Sequence, residues 1–374
     1  MKIKFKKNIL FSALSRIQGI VEKNSIKPIT ANALICAQGK KITVSATNLQ
    51  IAFKTTINDV KIDKEGQISL NAKKLFEIIR QFPDNEIIIE EKENYHISIS
   101  SGKVLIKMIG LPPEDFPDFT EEEQEKYVEW NRNIFISMLN FTSFSLSRDE
   151  SKPNICGMFF ENLEDGKTRM VTTDGYRLSI AEENIGKELR LKEGITIPAK
   201  GINEINKLLL EKKEIEKVLV CLNKNIFILK IDDVDIFIRL IEKKFPNYKV
   251  IIPGEGYNKK IIKLEKNTIR DALKIMCVIA NENNRPVYFN FKEKVLSLYT
   301  EDSDFGSARE EIGLKEKVKE EIKFCINGSY LVDIINVIEQ DFLIEYYEEE
   351  NKPIVVKKEK SDKIKYIIMP MKMD

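Results

Sequence analysis

Residues able to carry chemistry are sparse in this 374-residue chain. The one histidine, His96, lies in an alternating apolar–polar stretch, which leaves no second imidazole for a proton relay or metal pair. Glu301, Asp302 and Asp304 bring three carboxylates together, and such a group could hold Mg²⁺ for a metal-dependent nuclease. They follow a strand-like run in a charged stretch, which fits a solvated loop better. Neither GxxxxGK[ST] nor GxGxxG occurs, so no phosphate-cradling loop is indicated. Cys36, Cys156, Cys221, Cys277 and Cys325 are scattered and never form a CxxC pair; neither a disulfide framework nor a zinc site is expected, and a reducing cytoplasm is. The sequence thus predicts a protein without cofactor or metal. Binding chemistry is more visible, in Thr173-Asp174-Gly175-Tyr176-Arg177-Leu178, in Phe245-Pro246-Asn247-Tyr248 and in Met369-Pro370-Met371-Lys372. Taken singly, these are a turn and two strand ends.

The elements that must position these residues come from a folded chain of ordinary composition, with 43% apolar and 32% charged residues. Its length predicts two or three domains. Sixty basic against 59 acidic residues give a net charge of +1, so any contact with nucleic acid needs charge segregated onto one surface. Met1 to Asn8 alternates Lys with Ile and Phe, unlike a signal peptide, and no run reaches the roughly 20 apolar residues of a membrane span. No groove-reading element supports a sequence-specific DNA regulator.

The chain repeats three times. Phe5, Asn8, Ala13 and Leu14 recur in spacing as Trp130, Asn133, Met138 and Leu139, and again as Leu264, Asn267, Ala272 and Leu273. Each set predicts a strand leading into an amphipathic helix, with the Asn as N-cap. Basic-Pro pairs follow at Lys27-Pro28, Lys152-Pro153 and Arg285-Pro286, and strand-like runs end at Thr47, Thr173 and Thr300. A second helix is predicted near Ala72, Ala199 and Gly328, and each unit closes at Phe116-Pro117, Phe245-Pro246 or Met369-Pro370. Alternating or β-branched stretches such as Lys41 to Ser45, Glu86 to Glu90, His96 to Ser100, Val218 to Leu222 and Ile226 to Ile231 predict strands between the helices. The result is an α+β chain of three repeated domains, 1–122, 123–256 and 257–374, linked through Thr120 to Lys126 and Pro253 to Lys260.

With those three motifs standing in order within a threefold repeat, the chain resembles the bacterial sliding clamps, the beta subunits of the replicative DNA polymerase, over its whole length. The resemblance implies clamp domains of two helices packed on antiparallel sheets. It also implies a head-to-tail dimeric ring around duplex DNA, a non-enzymatic tether that confers processivity. A closed ring suits an internal repeat because similar junctions recur around it.

The resemblance further implies a hydrophobic pocket for short peptides, carried here by Ile155, Thr173, Gly175, Tyr176, Arg177, Leu178, Pro246, Val250, Ile251, Tyr330, Ile367, Met369, Pro370, Met371 and Lys372. Apolar side chains form a slot for a Leu-Phe anchor, methionines adapt to several ligands, and Arg177 and Tyr330 fix an extended peptide. Implied partners are the polymerase alpha subunit, the clamp loader, translesion polymerases, mismatch-repair proteins and ligase, all through short linear motifs. Lys73, Arg148, Lys152 and Lys200 are the implied DNA contacts, to phosphates and without sequence preference. The basic residues on or beside the predicted helices supply further candidates: Lys6, Lys7, Arg16, Lys74, Arg80, Arg132, Lys207, Lys212, Lys213, Arg270 and Lys274. Val278 and Ile279, with the sheet edge of the first domain, are the implied protomer interface. The chain departs from the family pattern at Lys372, where relatives commonly carry the forked guanidinium of Arg, at Asn24, where a basic residue is common, and in ending Met373-Asp374.

Overall fold

The computed structural model describes residues 1–21, 27–58, 60–83, 86–117, 126–189, 191, 193–254, 257–349, 352–359 and 361–373. Asn24, Asp374 and all but Lys126 of the first expected linker lie outside the described residues. Six α-helices are found among them: α1 (Lys7–Ile17), α2 (Ala72–Gln81), α3 (Arg132–Thr142), α4 (Ala199–Glu211), α5 (Lys266–Ile279) and α6 (Gly328–Val337). The second helices open at Ala72, Ala199 and Gly328, as the repeat predicts. The alternating stretches become strands Lys41–Thr47, Glu86–Glu91, His96–Ser101, Lys217–Asn223 and Ile226–Ile231.

The expected Asn caps are displaced. Helix α1 begins at Lys7 and α5 at Lys266, with Lys6 and Glu265 in the cap positions and neither side chain accepting a backbone N–H of its helix; α3 begins at Arg132. Asn8, Asn133 and Asn267 therefore lie one residue inside their helices. In α5 the Lys266 N–H is met from outside, by Asp341 Oδ1 at 3.1 Å. Asn capping operates instead at the second helices: Asn71 accepts from the Lys74 N–H at 2.9 Å, and Asn327 from the Ser329 N–H at 3.0 Å. The strand expected to end at Thr300 runs on to Asp302, and the second expected linker ends at Asn258, because Lys259–Leu264 is already strand.

The strands gather into two compact units. Unit 1 (Met1–Arg132 with Asn203–Leu240) and unit 2 (Asn133–Ile202 with Ile241–Asp374) each hold one eight-stranded antiparallel sheet and a smaller one. The middle repeat is thus divided between them, because its strands complete the large sheets of both. In unit 1, Val234–Arg239 pairs with Ile51–Asn58 of the first repeat; in unit 2, Arg177–Glu183 pairs with Ile364–Ile368 of the third. These two pairings are seams where one repeat continues into the next. Helices pack on the sheets within each unit. In unit 1 the Phe11 and Phe76 rings stack between α1 and α2 at 5.1 Å. In unit 2, Leu273 and Met276 of α5 join Leu331, Ile334 and Ile335 of α6 over Phe289, Phe291 and Phe324.

Candidate peptide-binding site and basic surface

The candidate pocket is built on the unit 2 seam. The strand Thr168–Thr173 turns through Asp174, Gly175 and Tyr176 into Arg177–Glu183, and local bonds dictate the turn. Asp174 Oδ1 accepts the N–H groups of Tyr176 and Arg177, each at 3.0 Å, while the Thr173 hydroxyl donates to the Arg177 carbonyl at 2.6 Å and accepts the Gly175 N–H at 3.0 Å. Gly175 has φ +96°, a conformation open to glycine and strained for L side chains. Beside this turn the last strand pairs Ile367 with Leu178 and Ile368 with Arg177. The Met369 N–H donates to the Tyr176 carbonyl at 2.9 Å, and the Met371 N–H to the Cys325 carbonyl at 2.8 Å. The C-terminal segment thereby joins the two sheets of unit 2.

The predicted residues divide into floor and rim. Ile155, Leu178 and Ile367 are buried in one apolar cluster with Val171, Phe245 and Tyr248, and Thr173 is buried beside them. Tyr176, Val250, Ile251 and Met369 are exposed, Val250 by 77%, and Pro246 is exposed as well. An exposed apolar rim on an ordered apolar floor is what a peptide anchor needs. Pro370, Met371 and Lys372 line a neighbouring groove of about 570 Å³, together with Phe324, Tyr346 and Met373.

Arg177 is bonded on several sides within unit 2. Its Nε bonds Asp174 at 2.9 Å, Nη1 bonds Asp333 at 2.6 Å, and Nη2 donates to the Phe144 carbonyl at 2.9 Å. The guanidinium lies 4.4 Å from the Tyr330 ring centroid. With three bonds made and its face stacked on the ring, Arg177 holds the turn against α6 and keeps Tyr330 in place. Tyr330 is half-buried, and burial is the first cause raising its hydroxyl above the usual range.

A second set of positioning groups surrounds Tyr248, and of these only Tyr248 stood in a sequence motif. The Tyr248 hydroxyl bonds Glu161, Arg169 Nη1 reaches Tyr248 Oη at 3.0 Å and Glu161 at 3.2 Å, and Lys249 reaches Glu161 at 3.0 Å. Burial raises the Glu161 carboxyl, but the bonds from Tyr248 and Lys249 and the nearby cations outweigh it and hold the group below its ordinary value. This network pins the stretch that presents Val250 and Ile251. Glu161, Arg169 and Tyr248 are distant in sequence and meet only through the sheet register, in which Glu161 faces Arg169.

The basic candidates fall into two groups. Lys73 on α2, Lys200 on α4, and Arg148 and Lys152 in the stretch after α3 are exposed; Lys152 pairs with Asp149 at 3.7 Å and stands 5.9 Å from the Tyr176 ring. Other helical basics are already engaged. Arg16 bonds Glu211 and Asp233 at 2.8 Å each, Lys212 pairs with Asp232 and Asp233, and buried Arg132 donates to the Leu209 carbonyl. Lys7 reaches the Arg80 carbonyl, Lys207 pairs with Glu204, and Arg270 with Asp271. Of these, Arg16, Lys212 and Arg132 are the ones packed within their unit, while Lys207 remains largely exposed.

Val278 is 79% exposed on α5, beside Ile275 at 56%, and Ile279 is half-buried. Val104–Ile109, an edge strand of unit 1, exposes Val104, Leu105 and Ile109. The acidic group at Glu301, Asp302 and Asp304 is not a loop as expected: Glu301 and Asp302 end a strand. Asp302 is buried and its Oδ1 caps the turn, accepting the N–H groups of Asp304 and Phe305 at 2.8 and 3.2 Å, while Glu301 accepts the Tyr299 hydroxyl. The described residues contain no group of three or more His, Cys, Asp or Glu able to hold a metal ion. No helix among them is long and apolar enough to cross a membrane.

Three family models match in chain order: the N-terminal, central and C-terminal domains of the DNA polymerase III beta subunit, over residues 1–120, 129–247 and 249–372. The chain belongs to the DNA polymerase III beta subunit family. It is 24% identical to the beta sliding clamp of Rickettsia felis over 384 residues and 25% identical to that of Vibrio cholerae over 377, with both chains fully covered each time. Among solved structures it is similar to the Bartonella birtlesii sliding clamp bound to griselimycin, at 26% identity and TM-score 0.92 with full coverage of both chains. The Bacillus subtilis clamp, at 20% identity, full coverage of both and TM-score 0.93, shares the fold. Membership makes the chain a non-catalytic processivity subunit of DNA replication, built from three clamp domains.

Proposed function

We propose that two copies of this chain close head to tail into a ring around duplex DNA and tether replication and repair enzymes through the unit 2 pocket. The observation that carries this reading is the exposed rim of Tyr176, Val250, Ile251 and Met369 over the buried floor of Ile155, Leu178 and Ile367. Partner peptides lay an apolar anchor on that floor, and the Met369–Lys372 stretch flanks them. The polymerase alpha subunit, the clamp loader, translesion polymerases, mismatch-repair proteins and ligase compete for it through short motifs. Griselimycin binding by the Bartonella birtlesii clamp supports a ligand site on this fold.

Lys73, Arg148, Lys152 and Lys200 meet phosphates around the hole, contacts that are equivalent along the duplex and weaken with salt. Ring closure uses Val278 and Ile279 of one protomer against the edge strand Val104–Ile109 of the next, covering apolar side chains and an unpaired strand edge together. The domains run 1–122, 123–256 and 257–374, and the protein acts in the cytoplasm. Sedimentation tests closure: the 43.3 kDa chain sediments as a dimer at micromolar concentration, and Val278→Arg yields monomers. A monomeric parent protein would contradict the ring.

A further inference from the structure

The unit 1 seam repeats the ladder of the candidate pocket. Ile51 pairs with Ile238 and Ala52 with Phe237, as Arg177 pairs with Ile368 and Leu178 with Ile367. The Arg239 N–H donates to the Gln50 carbonyl at 2.8 Å, as the Met369 N–H does to Tyr176. Buried Phe116 precedes Pro117 in unit 1 as buried Phe245 precedes Pro246 in unit 2. The filling differs. Ala52 stands where unit 2 has Leu178, and Ser45 where it has Val171, and a groove of about 780 Å³ lies over them. Its lining is mixed: Ala52 and Phe237 of one buried cluster, with Leu34 and Phe116, give an apolar part, Gln38, Thr43, Ser45 and Gln67 a polar one, and Cys36 lies alongside.

Charge indicates the occupant. Lys41 and Lys54 line the groove and form no ion pair among the described residues. The one carboxylate in the lining, Glu114, already accepts the Tyr95 hydroxyl at 3.1 Å. We propose that this groove is a second docking site, for an extended peptide with one aromatic or branched apolar anchor flanked by carboxylates. The anchor fills the space that small Ala52 and Ser45 leave, and the carboxylates meet Lys41 and Lys54. The peptide chemistry is carried over from the unit 2 pocket, so the inference rests on that reading.

Cys36 reports on the groove. Replacing Cys156 and Cys277 by Ala leaves Cys36 as the remaining thiol that is not buried. The probe is a fluorescein-labelled Glu-Asp-Leu-Phe-Glu-Asp peptide; anisotropy reads total binding and a nitrobenzoate disulfide reads Cys36. At a concentration about ten times its Kd, the peptide slows Cys36 labelling about tenfold. Lys41→Glu with Lys54→Glu restores the free rate, whereas Val250→Arg, which removes binding at the unit 2 rim, halves the stoichiometry and leaves Cys36 protected. Peptide binding with Cys36 labelled at its free rate would overturn the inference while leaving the unit 2 reading intact; no binding at all would remove both. Cys36 already blocked in the free folded protein would show the groove filled by the chain itself, and would overturn the inference too.

Discussion

The two seams share a backbone and differ in what stands on it. Each begins with a Thr-Asx turn: Thr47 and Asn48 bond the backbone of residues 49–51 as Thr173 and Asp174 bond that of residues 175–177. In unit 1 the turn carries Leu49 at φ +73° and is followed by buried Ile51. In unit 2 the corresponding places hold Gly175 and Arg177, whose guanidinium ties the turn to α6. A hairpin contact also differs. Arg16 of α1 grips Asp233 in unit 1, whereas Phe141, at the matching place in α3, lies 5.0 Å beneath the Lys358 ammonium. Backbone register is what the repeat preserves. Side chains decide how each seam is filled.

Exchanging residues between the seams tests that distinction. Arg177→Ile, which imports the residue of the unit 1 seam, leaves Asp174 and Asp333 without their partner; it lowers unit 2 stability by about 3 kcal/mol and weakens peptide binding at least about tenfold. Urea unfolding and peptide anisotropy measure both, and an unchanged affinity would show that Arg177 does not organise the pocket.

Asp233→Asn breaks the unit 1 latch and costs about 2 kcal/mol at pH 7. Burial raises the Asp233 carboxyl, but hydrogen bonds from Lys212 and Arg16 outweigh it and hold it below its ordinary 3.8. A carboxyl lowered on folding contributes stability that is complete above its ordinary value and lost as pH falls through the folded one. The gap between parent and variant urea midpoints therefore narrows below pH 3.8. A gap that held constant down to pH 2 would reject the latch.

Gly175→Leu places a side chain where no atom lies within 4 Å of a new Cβ, so its cost of about 1–2 kcal/mol is backbone strain alone. Leu49→Gly relieves the same strain in unit 1, offset by the greater freedom of an unfolded glycine, and raises stability by less than about 1 kcal/mol. Two thermal melts decide whether the signs are opposite.

Much of this architecture was legible in the sequence. Landmarks at near-constant spacing located all three second helices, and the motif at Thr173–Leu178 marked the turn that opens the unit 2 seam. The Asn caps were misplaced because the spacing to Asn8, Asn133 and Asn267 fits a cap equally well one residue inside the helix; Asn71 and Asn327, directly before Ala72 and Gly328, were the available signal. Asp333, Glu161 and Arg169 were illegible because their partners meet through sheet register and helix docking, which no local pattern reports. For the same reason two of the three Arg177 acceptors, Asp333 and the Phe144 carbonyl, left no trace beside the local Asp174.

The most direct test is the anisotropy of a labelled Gln-Leu-x-Leu-Phe peptide titrated with the intact protein and with a form lacking Met369 to Asp374, both checked as folded by circular dichroism. Saturable binding to the intact chain and its loss on truncation are expected, since Met369 is rim and Met371 ties the segment to Cys325. Folded, intact protein that fails to bind, or truncated protein that binds equally well, would contradict the tethering pocket.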